Sequence, residues 1–144
     1  MEQTELFPTL ISLVSELSTL ELQLSGGLEL GAVTPLQLRA LQILHFGGKI
    51  TLSALGGCLG LSLPNASREI RKLTGWGLVN KSGDPQDRRL VLLELSPAGR
   101  ALVIQTFATL EKNFASLSRG WSSQRMEVVA TSAQLLLGAL KGEP

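Results

Sequence analysis

The sequence has no tyrosine, one histidine and one cysteine, and only 4% of its 144 residues are aromatic. A lone cysteine, Cys58, excludes an intrachain disulfide framework and cannot by itself form a zinc site. His45 has no companion histidine or cysteine, so we expect neither a metal nor another cofactor. No apolar run approaches the roughly 18 residues that a membrane span needs. The first eight residues do not have the basic cluster of a secretory signal. We therefore expect a cytoplasmic protein with no membrane partner.

Charge is also scarce, at 17% of residues, whereas hydrophobic residues make up 44%. That balance excludes a disordered chain, and 144 residues suffice for one domain with a real core. The mean hydropathy of +0.23 is high for a soluble monomer and indicates apolar surface buried between subunits. The net charge is only +1, but residues 1–30 hold five acids and no base, and residues 61–100 hold seven bases against four acids. The resulting balance of +3 in the middle suggests a localised phosphate-binding face.

Helix signals stand at both ends of the chain. Along the first segment, leucines recur at spacings of four and three, which predicts a helix with a coiled-coil-like apolar seam; they are Leu6, Leu10, Leu13, Leu17, Leu20 and Leu24. Thr34-Pro35 opens a second helix, and Ser96-Pro97 and Ser122 or Ser123 open two more. The end helices carry more apolar surface than so small a chain covers alone, so we expect a homodimer.

The middle of the chain has the pattern of a winged helix-turn-helix. Thr51 or Ser53 caps a short helix that ends at Gly60, and Ser62 caps another after a tight turn, which is typical of a helix-turn-helix. Strand-like runs at 78–81 and 89–95 flank a charged, turn-rich loop, which predicts a hairpin wing. We expect a mainly α (α+β) fold with a single domain over residues 1–144. Its expected parts are dimerisation helices at 5–30 and 98–141 and a winged helix-turn-helix lobe at 34–97.

Two segments of this pattern resemble the MarR family of bacterial and archaeal regulators. The first is the helix-turn-helix, LSALGGCLGLSLPNASREIRKLTGWGLV, and the second is the wing with the following helix start, DPQDRRLVLLELSPAGR. The second is the more specific, because family members follow an Asp-x-Arg loop with a strand and a Leu-Thr-x-x-Gly helix start. Here the loop is Asp87-Arg88-Arg89 and the helix start is residues 95–99, with serine in place of threonine. The resemblance runs from about Thr34 to Arg100 and implies a dimeric regulator that binds double-stranded DNA.

The second helix of the helix-turn-helix is the expected recognition helix, which presents its N-terminal residues to base edges in the major groove. Asparagine suits adenine, arginine suits guanine, and serine serves base or phosphate. The candidates for such contacts are Ser62, Asn65, Ser67 and Arg68. Arg71 and Lys72 lie one turn on and are expected at phosphates, which position a protein without specifying sequence. A capping serine and solvated side chains are the alternative interpretation.

The resemblance also implies roles for the wing. In the family the loop arginine reaches into the minor groove and the aspartate holds it, and the matching residues here are Arg89 and Asp87. A narrow minor groove concentrates negative potential and attracts a guanidinium group. Arg88 and Lys81 are expected near phosphates. The alternative is a charged hairpin tip that only keeps the loop solvated.

Three features qualify the resemblance. Gly56-Gly57 stands where family members place helix formers, which costs roughly 1.5–2 kcal/mol relative to alanine, although one of the two glycines would allow a close helix approach. Asn80 stands where an arginine is common at the start of the wing. Cys58, in line with Leu55 and Leu59, is expected in the core. Some family members sense peroxides through a cysteine in the first helix, where this chain has none, so a redox role for Cys58 is left open.

Family members often bind small aromatic or anionic ligands in a cleft between the dimer helices and the DNA-binding lobe. With no tyrosine and few polar residues for such a cleft, the sequence identifies no ligand-binding residue. Arg39 is a candidate anion anchor, and an ordinary surface arginine is the alternative.

These observations predict a sequence-specific transcriptional regulator, a homodimeric repressor on a pseudo-palindromic operator, released by a small aromatic or anionic effector. The alternative is a winged-helix protein-interaction module that has lost DNA binding. The small net charge and Asn80 favour that alternative, whereas Arg68, Arg88 and Arg89 oppose it. The sequence shows no nucleophile–base constellation, phosphate loop or metal cluster, so we do not expect an enzyme.

Overall fold

The structure, a computed structural model, describes residues 2–142, so residues 1, 143 and 144 of the expected single domain lie outside it. The described residues form six helices and three strands. In chain order they are α1 (Gln3–Leu24), α2 (Pro35–Gly47), β1 (Ile50–Thr51), α3 (Leu52–Leu59), α4 (Leu63–Gly75), β2 (Val79–Gly83), β3 (Val91–Leu95), α5 (Pro97–Leu117) and α6 (Ser123–Lys141). The predicted mainly α fold with a winged helix-turn-helix is confirmed.

Local capping fixes where five of the helices begin. The hydroxyls of Thr34, Thr51, Ser62, Ser96 and Ser122 each accept a hydrogen bond from the backbone N–H three residues on. Each bond satisfies one of the N–H groups that a helix start leaves without a partner. The structure thus selects Thr51 over Ser53 and Ser122 over Ser123 as caps.

The small sheet has the strand order β1-β3-β2, and both pairings are antiparallel. Val79 pairs with Leu95 and Gly83 with Val91, so the wing strands are 79–83 and 91–95 and the loop between them is 84–90. The predicted runs placed this loop two residues too early. Strand β1, which pairs with β3 through Ile50 and Thr51, was not predicted, because two residues carry no periodicity.

The core lies in the lobe where α2, α3, α4 and β3 meet, with Val103 of α5 against it. Its largest fully buried apolar side chains are Leu41, Leu44, Leu55, Ile70, Leu73 and Leu93. The expectation that Cys58 belongs to this core is wrong, because its side chain is exposed. Leu55 and Gly56 are buried positions of the same helix. At ~100° per residue, Cys58 is turned about 60° away from the first and about 160° from the second.

The terminal helices contrast with this core. No residue of α1 or α6 is buried, and the exposed apolar side chains include Leu22 at 77% and Leu140 at 73%. Helix α1 ends at Leu24, so residues 25–30 of the expected dimerisation helix form a loop. The Asn113 amide of α5 donates hydrogen bonds to the carbonyls of Leu24 (2.6 Å) and Gly26 (2.8 Å), which fixes that helix end. None of the described helices is long and apolar enough to cross a membrane.

The two glycines of α3 have different surroundings. A Cβ on Gly56 would lie 3.3 Å from both the Ala66 Cβ and the Leu61 carbonyl oxygen, whereas a Cβ on Gly57 would meet nothing within 4 Å. Gly56 therefore permits the close approach of α3 to α4 that the glycine pair suggested, and Gly57 only weakens the helix.

We expect Gly57→Ala to raise the free energy of unfolding by about 1 kcal/mol, because alanine is the better helix former and fits the open space. Gly56→Ala is the matched control, since it adds the same methyl group where Ala66 must give way. It should be at least about 1 kcal/mol less stable than Gly57→Ala. Urea unfolding at equal protein concentrations measures both, and equal stability of the two variants would contradict this account.

Candidate nucleic-acid interface

Helix α4 has one face packed against the lobe and a free face that is exposed to solvent. Ala66, Ile70 and Leu73 are buried against the lobe core. The predicted contacts Ser62, Asn65, Arg68, Arg71 and Lys72 are exposed, and Ser67 is half-buried. The Ser62 hydroxyl accepts a hydrogen bond from the Asn65 N–H at 3.4 Å, so Ser62 caps the N-terminus of α4. Its predicted contact with DNA stays a prediction. The outer face of α4 therefore offers amide, guanidinium and ammonium donors to solvent.

The angle between α3 and α4 is fixed by the turn between them. Gly60 has φ +66°, a left-handed conformation that glycine adopts without strain. Beyond it, the Leu61 N–H donates to the Gly56 carbonyl at 2.9 Å, which closes the end of α3. The free face of α4 is thus held outward by backbone bonds rather than by a mobile loop.

The wing carries an ordered ion pair at its tip. Both oxygens of Asp87 accept from the Arg89 guanidinium, with Nε–Oδ1 at 3.0 Å and Nη2–Oδ2 at 3.1 Å. Oδ1 also accepts the Arg89 backbone N–H at 3.0 Å. The Arg89 side chain is nevertheless 90% exposed. The aspartate therefore sets the direction of the arginine while leaving its outer edge free.

This geometry has an electrostatic consequence. The hydrogen bonds from the Arg89 side chain, and then from its backbone, lower the pKa of Asp87, and Asp87 raises the pKa of Arg89. A depressed carboxyl pKa means that the pair is intact above the ordinary carboxyl range and is lost only as the pH falls through the lowered value. The Asp87 carboxylate therefore holds the arginine in place throughout the neutral pH range.

The other predicted wing residues do not join this pair. Lys81, on β2, and Arg88, beside Arg89, are exposed and make no ion pair within residues 2–142. Asn80 is likewise exposed on β2. The wing thus presents three cationic side chains, of which only Arg89 is fixed by a neighbour.

The junction between the wing and α5 explains why the helix start ends in glycine. The Ser96 hydroxyl donates to the Gly77 carbonyl at 2.5 Å and accepts the Gly99 N–H at 3.0 Å, and the Ser96 N–H donates to the Leu78 carbonyl at 3.1 Å. These bonds hold the start of α5 close to Gly77 and Leu78, which follow α4 in the chain. A Cβ on Gly99 would lie only 2.0 Å from the Leu78 carbonyl oxygen. A side chain at position 99 therefore cannot fit in this arrangement.

A polar contact between α2 and α4 was not predicted from the sequence. Gln37 of α2 is buried, and its amide donates to the Glu69 carboxylate of α4 at 2.7 Å. Glu69 also pairs with Lys72 at 3.4 Å. The Thr-x-x-Gln spacing of a capping box could have identified Gln37 as a cap. Nothing local connects it to a residue 32 positions away.

A groove of about 780 Å³ lies between α1 and α2. Leucines of both helices form most of its walls, together with Leu30 and Leu110. Arg39, Glu21 and Gln42 are among its few polar residues, and Arg39 makes no ion pair within the described part of the chain. Nor does that part hold a group of three or more His, Cys, Asp or Glu residues that could bind a metal ion.

Comparison with known proteins matches the winged helix-turn-helix lobe to one family. Residues 33–91, which span the lobe from the start of α2 to the wing, match the model of the MarR family. Over these residues the chain is similar to that family, and the match does not extend to the terminal helices. That family consists of transcriptional regulators and not of enzymes.

Three similar proteins illustrate the relationship. The HTH-type transcriptional regulator YcgE of Bacillus subtilis is 27% identical over 95 residues, which span 66% of this chain and 62% of YcgE. A MarR family protein of Bacillus stearothermophilus shares the fold with a TM-score of 0.80 at 18% identity, over 98% of this chain and 99% of that one. BpsR of Bordetella bronchiseptica, whose DNA binding is regulated by 6-hydroxynicotinic acid, has a TM-score of 0.66 at 22% identity, over 90% and 98% of the two chains.

Proposed function

We propose that this chain is a homodimeric, sequence-specific DNA-binding repressor of the MarR family that acts on a pseudo-palindromic operator in the cytoplasm. The observation that carries the proposal is the Arg89 guanidinium, fixed by Asp87 and yet 90% exposed. An exposed ion pair contributes little to stability, so this arrangement is most useful for what it presents. A pre-oriented guanidinium on a hairpin tip suits the negative potential of a narrow minor groove.

The free face of α4 supplies the second half of the interface. Asn65 and Arg68 are the side chains able to make bidentate contacts to adenine and guanine in the major groove. Arg71 and Lys72 lie one turn further and suit phosphates. Helix and wing together would engage adjacent grooves, so one protomer reads one half-site.

The apolar terminal helices support a homodimer. Helix α6 has no buried residue, although Val128, Leu135, Leu137 and Leu140 lie on it. Such surface is stable in water only when a partner covers it. A two-fold dimer would place two recognition helices about 34 Å apart, in successive major grooves. A dimer seated across a promoter would exclude polymerase, so we propose repression.

Selection from a random 30-base-pair duplex pool tests the proposal. The purified protein should enrich an inverted repeat with half-site centres about one helical turn apart. Affinity for the enriched duplex should fall steeply with salt, because phosphate contacts release counterions. Sedimentation should show a dimer. A monomer without salt-dependent DNA binding would reject the proposal and would favour a protein-interaction module instead.

The groove between α1 and α2 supports an effector site within the same function. Its leucine walls suit an apolar or aromatic body, and Arg39 suits an anionic group at its edge. A ligand held there would touch both a terminal helix and the lobe, and so would favour one spacing of the two recognition helices over another. We propose a small aromatic acid as the effector.

Arg39→Ala should weaken the binding of such an acid about ten-fold or more, because the charge-assisted hydrogen bond is lost. Calorimetric titration with 6-hydroxynicotinate and with benzoate measures this loss. Arg100→Ala, which removes an exposed arginine outside the groove, is the matched control and should bind the acids as the unmodified protein does. Equal affinities for all three proteins would rule out Arg39 as the anchor.

A further inference from the structure

Glu69 is the one acidic residue on α4, where it stands among Arg68, Arg71 and Lys72. A carboxylate free to turn outward there would repel DNA phosphates, or would accept a hydrogen bond from cytosine. The structure shows it turned inward instead, toward α2. Its Oε2 accepts from the Gln37 amide at 2.7 Å, and its Oε1 lies 3.4 Å from the Lys72 ammonium.

The surroundings of Gln37 orient its amide group toward this carboxylate. Its side chain is fully buried, with 1% of the residue exposed. Its Oε1 accepts the Thr34 N–H at 3.0 Å, which fixes the amide and directs its Nε2 donor toward α4. A buried donor without an acceptor is unfavourable, so the amide and the carboxylate each stabilise the position of the other.

We propose that Gln37 is a positioning residue for the recognition helix. It holds the Glu69 carboxylate, and through it the Lys72 ammonium, and thereby sets the rotation of α4 about its own axis relative to α2. The bond acts at the side of α4, between the packed residues and the DNA-facing ones. This inference rests on the proposed DNA-binding function.

The expected consequence is a loss of discrimination rather than of binding alone. Rotating α4 would move Asn65 and Arg68 off their base edges, while phosphate contacts tolerate the shift. The diagnostic quantity is the ratio of affinities for the selected duplex and for a scrambled duplex at one salt concentration. Partial unfolding and changes in net charge affect both affinities alike, so they cancel in this ratio.

A charge-swap experiment tests the link. Gln37→Glu places two carboxylates against each other, and we expect the ratio to fall about ten-fold or more. Glu69→Gln alone keeps an acceptor for Gln37, so it should change the ratio less than about three-fold. The double variant Q37E/E69Q restores the bond with donor and acceptor exchanged, and it should return the ratio to within about three-fold of the unmodified protein.

Glu69→Ala provides an independent variant, because it removes the acceptor at a position whose side chain is 20% exposed, where alanine is compatible with the helix even if Gln37→Glu does not fold. It should lower the ratio about ten-fold. Unchanged ratios in Gln37→Glu and Glu69→Ala, or a double variant no better than Gln37→Glu, would overturn the inference. If the unmodified protein does not discriminate between the duplexes, the proposed function itself fails, which is a separate outcome.

Discussion

Gly99→Ala is expected to destabilise the protein by at least about 3 kcal/mol. The added Cβ would lie 2.0 Å from the Leu78 carbonyl oxygen and 3.0 Å from the carbonyl carbon. Leu78 cannot move away, because its N–H donates to the Leu73 carbonyl at 2.9 Å and its carbonyl accepts from Ser96 at 3.1 Å. Relief of the overlap requires α5 to shift along the wing.

Chemical unfolding at a fixed protein concentration measures this loss. Gly120→Ala is the control, because a Cβ at position 120 meets nothing within 4 Å and the backbone there is not left-handed. That variant should differ from the unmodified protein by less than about 0.5 kcal/mol. A Gly99→Ala protein within about 1 kcal/mol of the unmodified one would show that the junction is not packed as described.

Helix starts and the wing ion pair were predictable because each depends on residues that are close together in the chain. A cap and its target lie three residues apart, so Thr34, Ser62 and Ser96 were identifiable from the sequence, and these three helices begin where the caps predict. For the last helix the sequence offered Ser122 and Ser123 equally, and the structure selects Ser122. The Asp-x-Arg spacing is equally local, and the structure brings Asp87 and Arg89 into contact as expected. Whether these residues contact DNA stays a prediction.

What the sequence did not reveal depends on distant parts of the chain. The Gln37–Glu69 bond joins residues 32 positions apart, and each side chain alone has the appearance of an ordinary helix residue. The two adjacent glycines of α3 are equivalent in the sequence and differ only because Ala66 packs against the first. Cys58 was misplaced because α3 has only eight residues, too few to define an inward face by periodicity.

Removal of an arginine from α4 and removal of an arginine from the wing should change DNA affinity in different ways. Arg68→Ala would remove the base contact that we propose, so it should lower affinity for the selected duplex about ten-fold and leave the scrambled duplex nearly unaffected. Arg89→Ala would remove the proposed minor-groove cation, so it should lower affinity for both duplexes about ten-fold or more and reduce the salt slope by about one. Titrations of both duplexes over a salt series separate the two patterns.

Asp87→Ala isolates what orientation adds to the wing arginine. It leaves the Arg89 charge but removes all three hydrogen bonds that fix it. If charge alone mattered, losing a nearby carboxylate would strengthen binding. If direction matters, the arginine must give up more freedom on entering the groove, and binding weakens. We expect weaker binding, about three- to ten-fold.

Asp84→Ala is the matched control. It removes another carboxylate of the same loop, one that accepts a hydrogen bond from the Gln86 N–H and not from an arginine. Weakening by Asp87→Ala but not by Asp84→Ala would identify orientation as the wing's contribution, whereas equal strengthening in both would leave Arg89 as a charge only.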